Sequence, residues 1–253
     1  MSAFDDLALA YDRSIDWERR LGREMEFIRN HMELSRELRV LDMACGTGRH
    51  AIEIASMGIE VVAFDHSKSM IEEAKRLAEK KDVRIEFHIA DMLNFRSVIG
   101  GDFDLVLCLG NSLALLASTD EVEKVASSVS RVIKKGGFFL FQVLNFEEIE
   151  ASRFRYFPIK GGTTETGHHV IFSRFFLPSM VEEKETLVAC SFTRENRGWS
   201  SVIQTQEVLK FAIDVIELII SNAGFSHLEV FSDYSRNKIN RTLSRSIVGS
   251  AKK

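Results

Sequence analysis

The chain has 253 residues, 45% of them hydrophobic, enough for one sizeable core or a core with a small second lobe. Its formal net charge is −4, with acidic and basic residues interspersed, which leaves no electrostatic footprint for nucleic acid or an anionic membrane. Its cysteines, Cys45, Cys108 and Cys190, stand far apart with no C-x-x-C pair, and no run of about 18 apolar residues or signal-like start occurs, so a cytoplasmic protein with free thiols is expected.

From residue 38 to residue 144 short apolar runs alternate with helical periodicity, the pattern of stacked βαβ units on a parallel sheet. The first strand is read at residues 39–43 and ends at Ala44-Cys45-Gly46-Thr47-Gly48. The next helix carries Ala51, Ile54 and Ala55 on one face and stops at Gly58. A second strand, residues 60–64, leads to Asp65. The helix behind it buries Met70, Ile71, Ala74, Leu77 and Ala78, with Ser69 and Glu72 in capping-box spacing.

Val83, Ile85, Phe87 and Ile89 alternate as a third strand, and residues 103–109 form a fourth. Ser118 and Glu121 open a helix that Gly136-Gly137 closes, with Lys134-Lys135 in its last turn, and residues 138–144 make the fifth strand. Three long β-rich stretches then follow, near 168–177, 186–195 and 199–211, and read as antiparallel. A helix at 213–222, closed by Gly224, and strands near 228–231 and 244–248 return to the sheet. The expected division is an N-terminal lid at 1–36, a nucleotide-binding domain at 37–145 and 211–253, and an inserted cap at 146–210.

Gly46 and Gly48 at a strand-to-helix junction permit a tight turn and close approach of a ligand to the backbone. Gly46-x-Gly48-x-x-Ala51 also satisfies a dinucleotide fingerprint, so the loop alone leaves the ligand open. Asp65, at the tip of the second strand, suits both hydroxyls of a ribose but does not choose between NAD and S-adenosylmethionine. Asp91, with a carboxylate for an adenine amino group and Met92 to pack on the ring, favours the second.

The series Val40-Leu41-Asp42-Met43-Ala44-Cys45-Gly46-Thr47-Gly48, Asp65 and Asp91-Met92 resembles the motifs of class I S-adenosylmethionine-dependent methyltransferases, with Ala44 in place of the first motif glycine. Through Cys108-Leu109-Gly110-Asn111-Ser112-Leu113-Ala114 it is nearest the glycine and sarcosine N-methyltransferase branch. The resemblance implies a Rossmann-like α/β fold: a seven-stranded doubly wound sheet with an antiparallel last strand, an inserted antiparallel β cap and an N-terminal helical lid. It also implies S-adenosylmethionine as cofactor and S-adenosylhomocysteine as product. Cofactor contacts would come from Tyr11, Trp17, Ala44, Gly46, Gly48, Asp65, Met70, Asp91, Met92 and Leu109.

Methyl transfer from a sulfonium is an in-line displacement on an already activated carbon, so the protein mainly aligns the reactants and needs no metal or protein nucleophile. Asn111 and Ser112, just past the fourth strand, are the residues placed to orient an acceptor. His168 and His169 face opposite sides of a strand and do not chelate one ion. Cys45 and Cys108 read as buried, inert thiols.

Nucleic-acid amino methyltransferases show an Asn or Asp followed by two prolines and an aromatic residue after the fourth strand; this chain has Gly110-Asn111-Ser112. The acceptor is therefore expected to be a small molecule, most simply an amine, with no nucleic acid or membrane partner and with homo-oligomerisation left open. Arg153, Arg155, Arg174, Arg194 and Arg197 of the cap are the candidate forks for a substrate carboxylate. The glycine-methylating relatives carry an arginine after the fifth strand, where this chain has Asn145-Phe146-Glu147-Glu148, so glycine itself is not singled out. The competing readings are a protein or RNA methyltransferase of the same fold, and a nicotinamide enzyme or adenosine-binding protein without methyl transfer.

Overall fold

The structure, a computed structural model, describes residue 12 and residues 15–163, 167–195 and 198–253, so Tyr11 and Arg197 lie outside the described residues. Helix α1 (Trp17–Arg29) precedes β1 (Arg39–Met43), α2 (Arg49–Ala55), β2 (Glu60–Asp65), α3 (Lys68–Lys80) and β3 (Glu86–Ile89). Then come β4 (Phe103–Cys108), α4 (Thr119–Val132), β5 (Ile133–Leu144) and the short α5 (Phe146–Ala151). Strands β6 (Lys160–Thr163), β7 (His169–Pro178), β8 (Lys184–Glu195) and β9 (Gly198–Leu209) are followed by α6 (Ile213–Asn222), β10 (His227–Phe231) and β11 (Ser246–Lys252).

Seven strands form the main sheet in the order β10-β11-β5-β4-β1-β2-β3. β1 to β5 run parallel, and β11 is antiparallel to both of its neighbours, as expected. Both faces of this sheet are buried, which is why its central strands read as near-continuous apolar runs. Leu41, Met43, Phe64, Val106 and Phe139 pack on one side with α4 and α6; Val40, Val61, Leu105, Leu107 and Leu140 pack on the other with α1 and α2.

The caps explain where helices start. Ser118 Oγ accepts the Glu121 N–H at 3.3 Å while Glu121 Oε2 accepts the Ala117 N–H at 2.8 Å, so this predicted pairing forms. At α3 the expectation is corrected: Ser67, not Ser69, caps, accepting the Met70 N–H at 3.3 Å. The reason is upstream, where Asp65 Oδ1 takes the Ser67 N–H at 2.9 Å and turns the chain immediately after β2.

Strand β5 begins at Ile133, five residues before its predicted start, so Lys134 and Lys135 lie on a strand and not in a helix turn. Lys134 Nζ pairs with Asp104 at 2.8 Å across the strands. Gly137 does not end a helix; it allows close approach of β4, since a Cβ there would stand 2.7 Å from the Asp104 carbonyl oxygen, beside the register shift between Phe103 and Leu105. β3 is shorter than its alternation suggested. Strand β6, whose Lys160-Gly-Gly-Thr163 composition reads as a turn, was not foreseen.

Between β5 and α6, β6 to β9 build a second, wholly antiparallel sheet. Its register aligns Phe172–Ser191–Val202, Arg174–Ala189–Gln204 and Phe176–Leu187–Gln206 in transverse rows. Phe176 and Leu187 pack against the core of the main sheet. Among the described residues no helix is long and apolar enough to cross a membrane.

Gly249 on β11 pairs with Phe141 on β5, and the aromatic ring lies where a side chain would stand, 2.1 Å from an added Cβ. Gly249→Ala is therefore expected to displace a ring from the core and cost about 1–3 kcal/mol. Urea unfolding should show it as a lowered midpoint with an unchanged slope.

Candidate active site

Because β1 to β4 are parallel, their C-terminal ends reach the same edge of the sheet, and the strand order reverses between β1 and β4, opening a crevice there. The loop after β1 fills it with backbone. Ala44, Gly46 and Gly48 all have positive φ, at 51°, 55° and 71°. Ala44 thus takes the conformation in which its family counterpart is glycine, at the cost of a strained backbone. Gly46 has open space around its missing Cβ, whereas a Cβ on Gly48 would press on Ala74 at 3.1 Å and Phe87 at 3.3 Å.

Asp65 ties this loop to β2. Its Oδ2 accepts the Gly46 N–H at 2.9 Å and its Oδ1 the Ser67 N–H. Each carboxylate oxygen has a second lone pair, so the group retains capacity for two ligand hydroxyls. Asp91, exposed beyond β3, accepts the Leu93 N–H at 2.7 Å and so shapes its own turn. Met92 leans on the main core, and Met70 is half-buried in the first turn of α3.

Past β4, Leu109 is buried and Asn111 adopts the left-handed conformation at φ 68°. Asn111 Oδ1 accepts the Leu144 N–H at 2.8 Å, bridging the tips of β4 and β5, while Ser112 Oγ donates to the Leu109 carbonyl at 2.9 Å. The Asn111 amide, an acceptor already used, keeps its NH₂ donors for another partner.

The N-terminal segment crosses the same loop. Asp12, buried, accepts from Thr47 Oγ1 at 2.5 Å and from Arg49 Nη2 at 2.9 Å, and its carbonyl takes the Trp17 indole N–H at 3.0 Å. The guanidinium groups of Arg20 and Arg49 both lie over the Trp17 ring, 4.9 and 5.5 Å from its centroid. On α1, buried Glu24 joins His50 of α2 to Arg20, whose Nε donates at 2.8 Å. Burial alone would raise the Glu24 carboxyl, but His50 and Arg20 outweigh it and hold it below the ordinary range.

A cavity of about 410 Å³ opens beside these groups. Its floor is the β4 and β5 tips, with Asn111, Gln142 and Leu144; its roof is the second sheet, with Phe172, Arg174, Leu187, Ala189, Gln204 and Gln206; Arg20, Glu24 and Tyr234 close one side. Of the described cap arginines only Arg174 lines it: Arg155 pairs with Glu185 at 3.5 Å, and Arg153 and Arg194 are exposed.

Residues 40–137 match the model of a methyltransferase domain. The chain is 27% identical over 237 residues to a glycine/sarcosine N-methyltransferase of Parasynechococcus marenigrum, covering 92% of this chain and 79% of that protein. Its fold resembles an S-adenosylmethionine-dependent methyltransferase from Clostridium acetobutylicum, with a TM-score of 0.77, 19% identity and 99% of each chain covered. It also resembles a sugar N-methyltransferase from Streptoalloteichus, with a TM-score of 0.73, 21% identity and 97% and 92% covered. Residues 40–137 are thus a methyltransferase domain, and the relatives and the fold support a class I S-adenosylmethionine-dependent methyltransferase. Its cofactor, S-adenosylmethionine, supplies a methyl group already activated on a sulfonium, and the open approach at Gly46 and the spare lone pairs of Asp65 fit its adenosyl part.

Sequence reasoning missed Arg20, Glu24, Gln142, Gln204, Gln206 and Tyr234. Gln204 and Gln206 alternate with outward-facing Ile203 and Thr205, so hydropathy assigns the wrong face of β9 to the interior. Cys108 is buried as expected whereas Cys45 is half-buried, and for both desolvation first, then the charges of Asp42 and Asp65, push the thiol far up. Among the described residues no His, Cys, Asp and Glu group could hold a metal, and His168 Nδ1 meets the Arg194 carbonyl at 2.9 Å.

Asp42, buried under the loop, accepts the Ala51 N–H at 3.2 Å, and its carboxyl is pushed up to about 6 by burial, against the opposing charge of His50 and that hydrogen bond. In the unfolded chain the same group ionises near pH 4. The folded state therefore binds the extra proton between those values, and stability falls as pH rises through the window, by on the order of 3 kcal/mol once above pH 6. Asp42→Asn keeps an acceptor for Ala51 and is expected to remove that fall, so its stability relative to the parent should be greater at pH 7.5 than at pH 4.5 in urea denaturation.

Proposed function

We propose that this enzyme methylates a small-molecule amine held in the cavity between the β4 and β5 tips and the second sheet. The observation that carries the reading is the roofed cavity itself, which has Gly110 and Asn111, just past the β4 tip, on its floor. A roof of this kind suits a compact acceptor and not a protein or RNA segment, which needs an open cleft. The acidic net charge likewise argues against a nucleic-acid partner. Relatives named for glycine, sarcosine and sugar N-methylation support nitrogen as the acceptor atom.

In this reading the chain divides into a lid at 1–36, the cofactor domain at 37–145 and 211–253, and a cap at 146–210, and works in the cytoplasm. Ala44, Gly46, Gly48, Asp65, Met70, Asp91, Met92 and Leu109 hold S-adenosylmethionine, and the family resemblance assigns Tyr11 and Trp17 to its methionine end. Asn111 donates to the acceptor, Ser112 fixes the turn that presents Asn111, and the cap excludes water and sets specificity. The test is incubation of the enzyme with isotopically methyl-labelled S-adenosylmethionine and pooled metabolites, with mass identification of the labelled product. Label on a small amine supports the reading; label only on protein or RNA, or on none of these, ends it.

Asp65→Ala is expected to weaken S-adenosylmethionine binding by about 1.5–3 kcal/mol, the scale of hydrogen bonds to a charged group. Titration calorimetry on the folded variant measures it, and an unchanged dissociation constant would refute the role given to Asp65.

A further inference from the structure

Carbon makes up much of the cavity wall. Leu115 and Leu144 line it together with Asn111, and Phe157, Phe172, Leu187 and Ala189 face them from the cap. Leu144 adjoins the orienting group itself, since its N–H is bonded to Asn111 Oδ1 at 2.8 Å. Leu115 is 43% exposed, so a large apolar side chain is left open in this wall and not packed into the core. Such a surface gains when a ligand takes it out of water.

The charged and amide groups of the same wall are largely spent within the protein. Glu24 accepts from Arg20 Nε at 2.8 Å with one oxygen and meets His50 with the other. The Arg174 guanidinium lies over the Phe157 ring, 4.5 Å from its centroid, and is engaged elsewhere in the protein as well. Gln142 Nε2 donates to Ser246 Oγ at 3.4 Å, and Gln206 Nε2 to the Glu207 carbonyl at 3.1 Å. What remains is the NH₂ of Asn111 and Gln204 Oε1, a buried acceptor with no hydrogen-bond partner among the described residues. An acceptor left unmade in a buried place is costly, so its presence in the wall calls for a ligand that donates to it.

Resting on the methyltransferase reading above, we propose that the acceptor is an amphipathic amine. Its nitrogen lies at the Asn111 end, an aliphatic or aromatic body fills the space between Leu115, Leu144 and the cap, and one hydroxyl or N–H of that body donates to Gln204 Oε1. A small amino acid would leave the carbon wall bare. A polyhydroxylated amine would bring several hydroxyls to a wall that offers few partners, at a desolvation cost that an apolar body does not incur. The volume of about 410 Å³ lies within the range of small-molecule sites and holds a ring or a chain of several carbons, and a mostly apolar lining with a few placed polar groups is what such sites use to set orientation.

The experiment follows the 1-aminoalkanes from ethylamine to hexylamine, with glycine and glucosamine as polar controls. Calorimetry on the enzyme loaded with S-adenosylhomocysteine gives Kd, and turnover with S-adenosylmethionine gives kcat/KM. Each added methylene should tighten binding and raise kcat/KM about fourfold until the cavity is full, with both polar controls at the bottom of the order. Binding of the longer members should carry a negative heat-capacity change. Equal use along the series, better use of glycine or glucosamine, or cofactor binding with transfer to no amine of the panel overturns the inference.

Two variants separate recognition from mere support of the fold. Leu115→Asn, at an exposed position, should flatten the gain per methylene, and Ala189→Leu should move the optimum to a shorter amine; either serves if the other does not fold. A uniform loss across the series in both counts against the assignment. Tyramine and 2-phenylethylamine, which differ by one hydroxyl, test the polar handle: the wild type should favour tyramine about 10-fold, and Gln204→Leu should remove that preference while leaving the thermal midpoint of the ligand-free enzyme unchanged or raised. Equal use of the two by the wild type overturns the role of Gln204. Label that reaches only protein or RNA, or failure of the wild type to bind S-adenosylmethionine, strikes the underlying reading instead.

Discussion

The site depends on one carboxylate. Asp65 holds the Gly46 N–H with one oxygen and the Ser67 N–H with the other, joining the loop after β1 to the start of α3. A backbone with positive φ at positions 44, 46 and 48 is held in place only if its amides have partners, and Asp65 supplies one of them from a neighbouring strand. The lateral bonds Cys45 N–H to Phe64 carbonyl, at 3.0 Å, and Ala90 N–H to Asp65 carbonyl, at 3.1 Å, extend the same tie across three strand tips. The result is a preformed edge: the ligand-facing backbone is fixed by the sheet before any cofactor arrives, which limits the ordering cost of binding.

Around that edge the charges form a chain. Asp12 engages Thr47 and Arg49 on the loop, and Glu24 joins His50 of α2 to Arg20 at the cavity wall. Buried pairs of this kind add little net stability, because desolvation offsets most of their attraction. What they impose is position: the docking of α1 on α2 satisfies Glu24 and brings Arg20 and Glu24 to the cavity wall. The same helix thus meets both α2, which follows the cofactor loop, and the wall of the cavity.

Legibility in the sequence followed burial on both faces. β1 was read to the residue, and β2, β4 and α6 to within a residue or so, because two-sided burial writes unbroken apolar runs and glycines mark the turns. The family motifs likewise marked the loop from Ala44 to Gly48 and the tip at Asp65. What stayed hidden were residues whose significance lies in tertiary pairing. Arg20 and Glu24 look like one exposed helix pair among many. Gln204 and Gln206 sit on the inward face of β9 while Ile203 and Trp199 face out, with more than half of each exposed, so the polarity of that strand is inverted relative to its burial. A polar lining is what a ligand cavity requires and what a periodicity argument discards.

The stretch after β5 sharpens where specificity resides. Asn145 is fully buried, its amide bound to the carbonyls of Arg241 and Ser244 at 2.8 Å each while its oxygen caps α5. Glu148 is locked by the Arg245 guanidinium, which also lies 3.6 Å from the Phe154 ring. Those residues anchor the segment before β11, and both donors of the Asn145 amide are spent there. The roof is a separate antiparallel sheet that brings Phe172, Arg174, Leu187, Ala189, Gln204 and Gln206 to the cavity. A fold arranged in this way can change its acceptor by substitution along β7, β8 and β9 while the machinery at the strand tips is left intact.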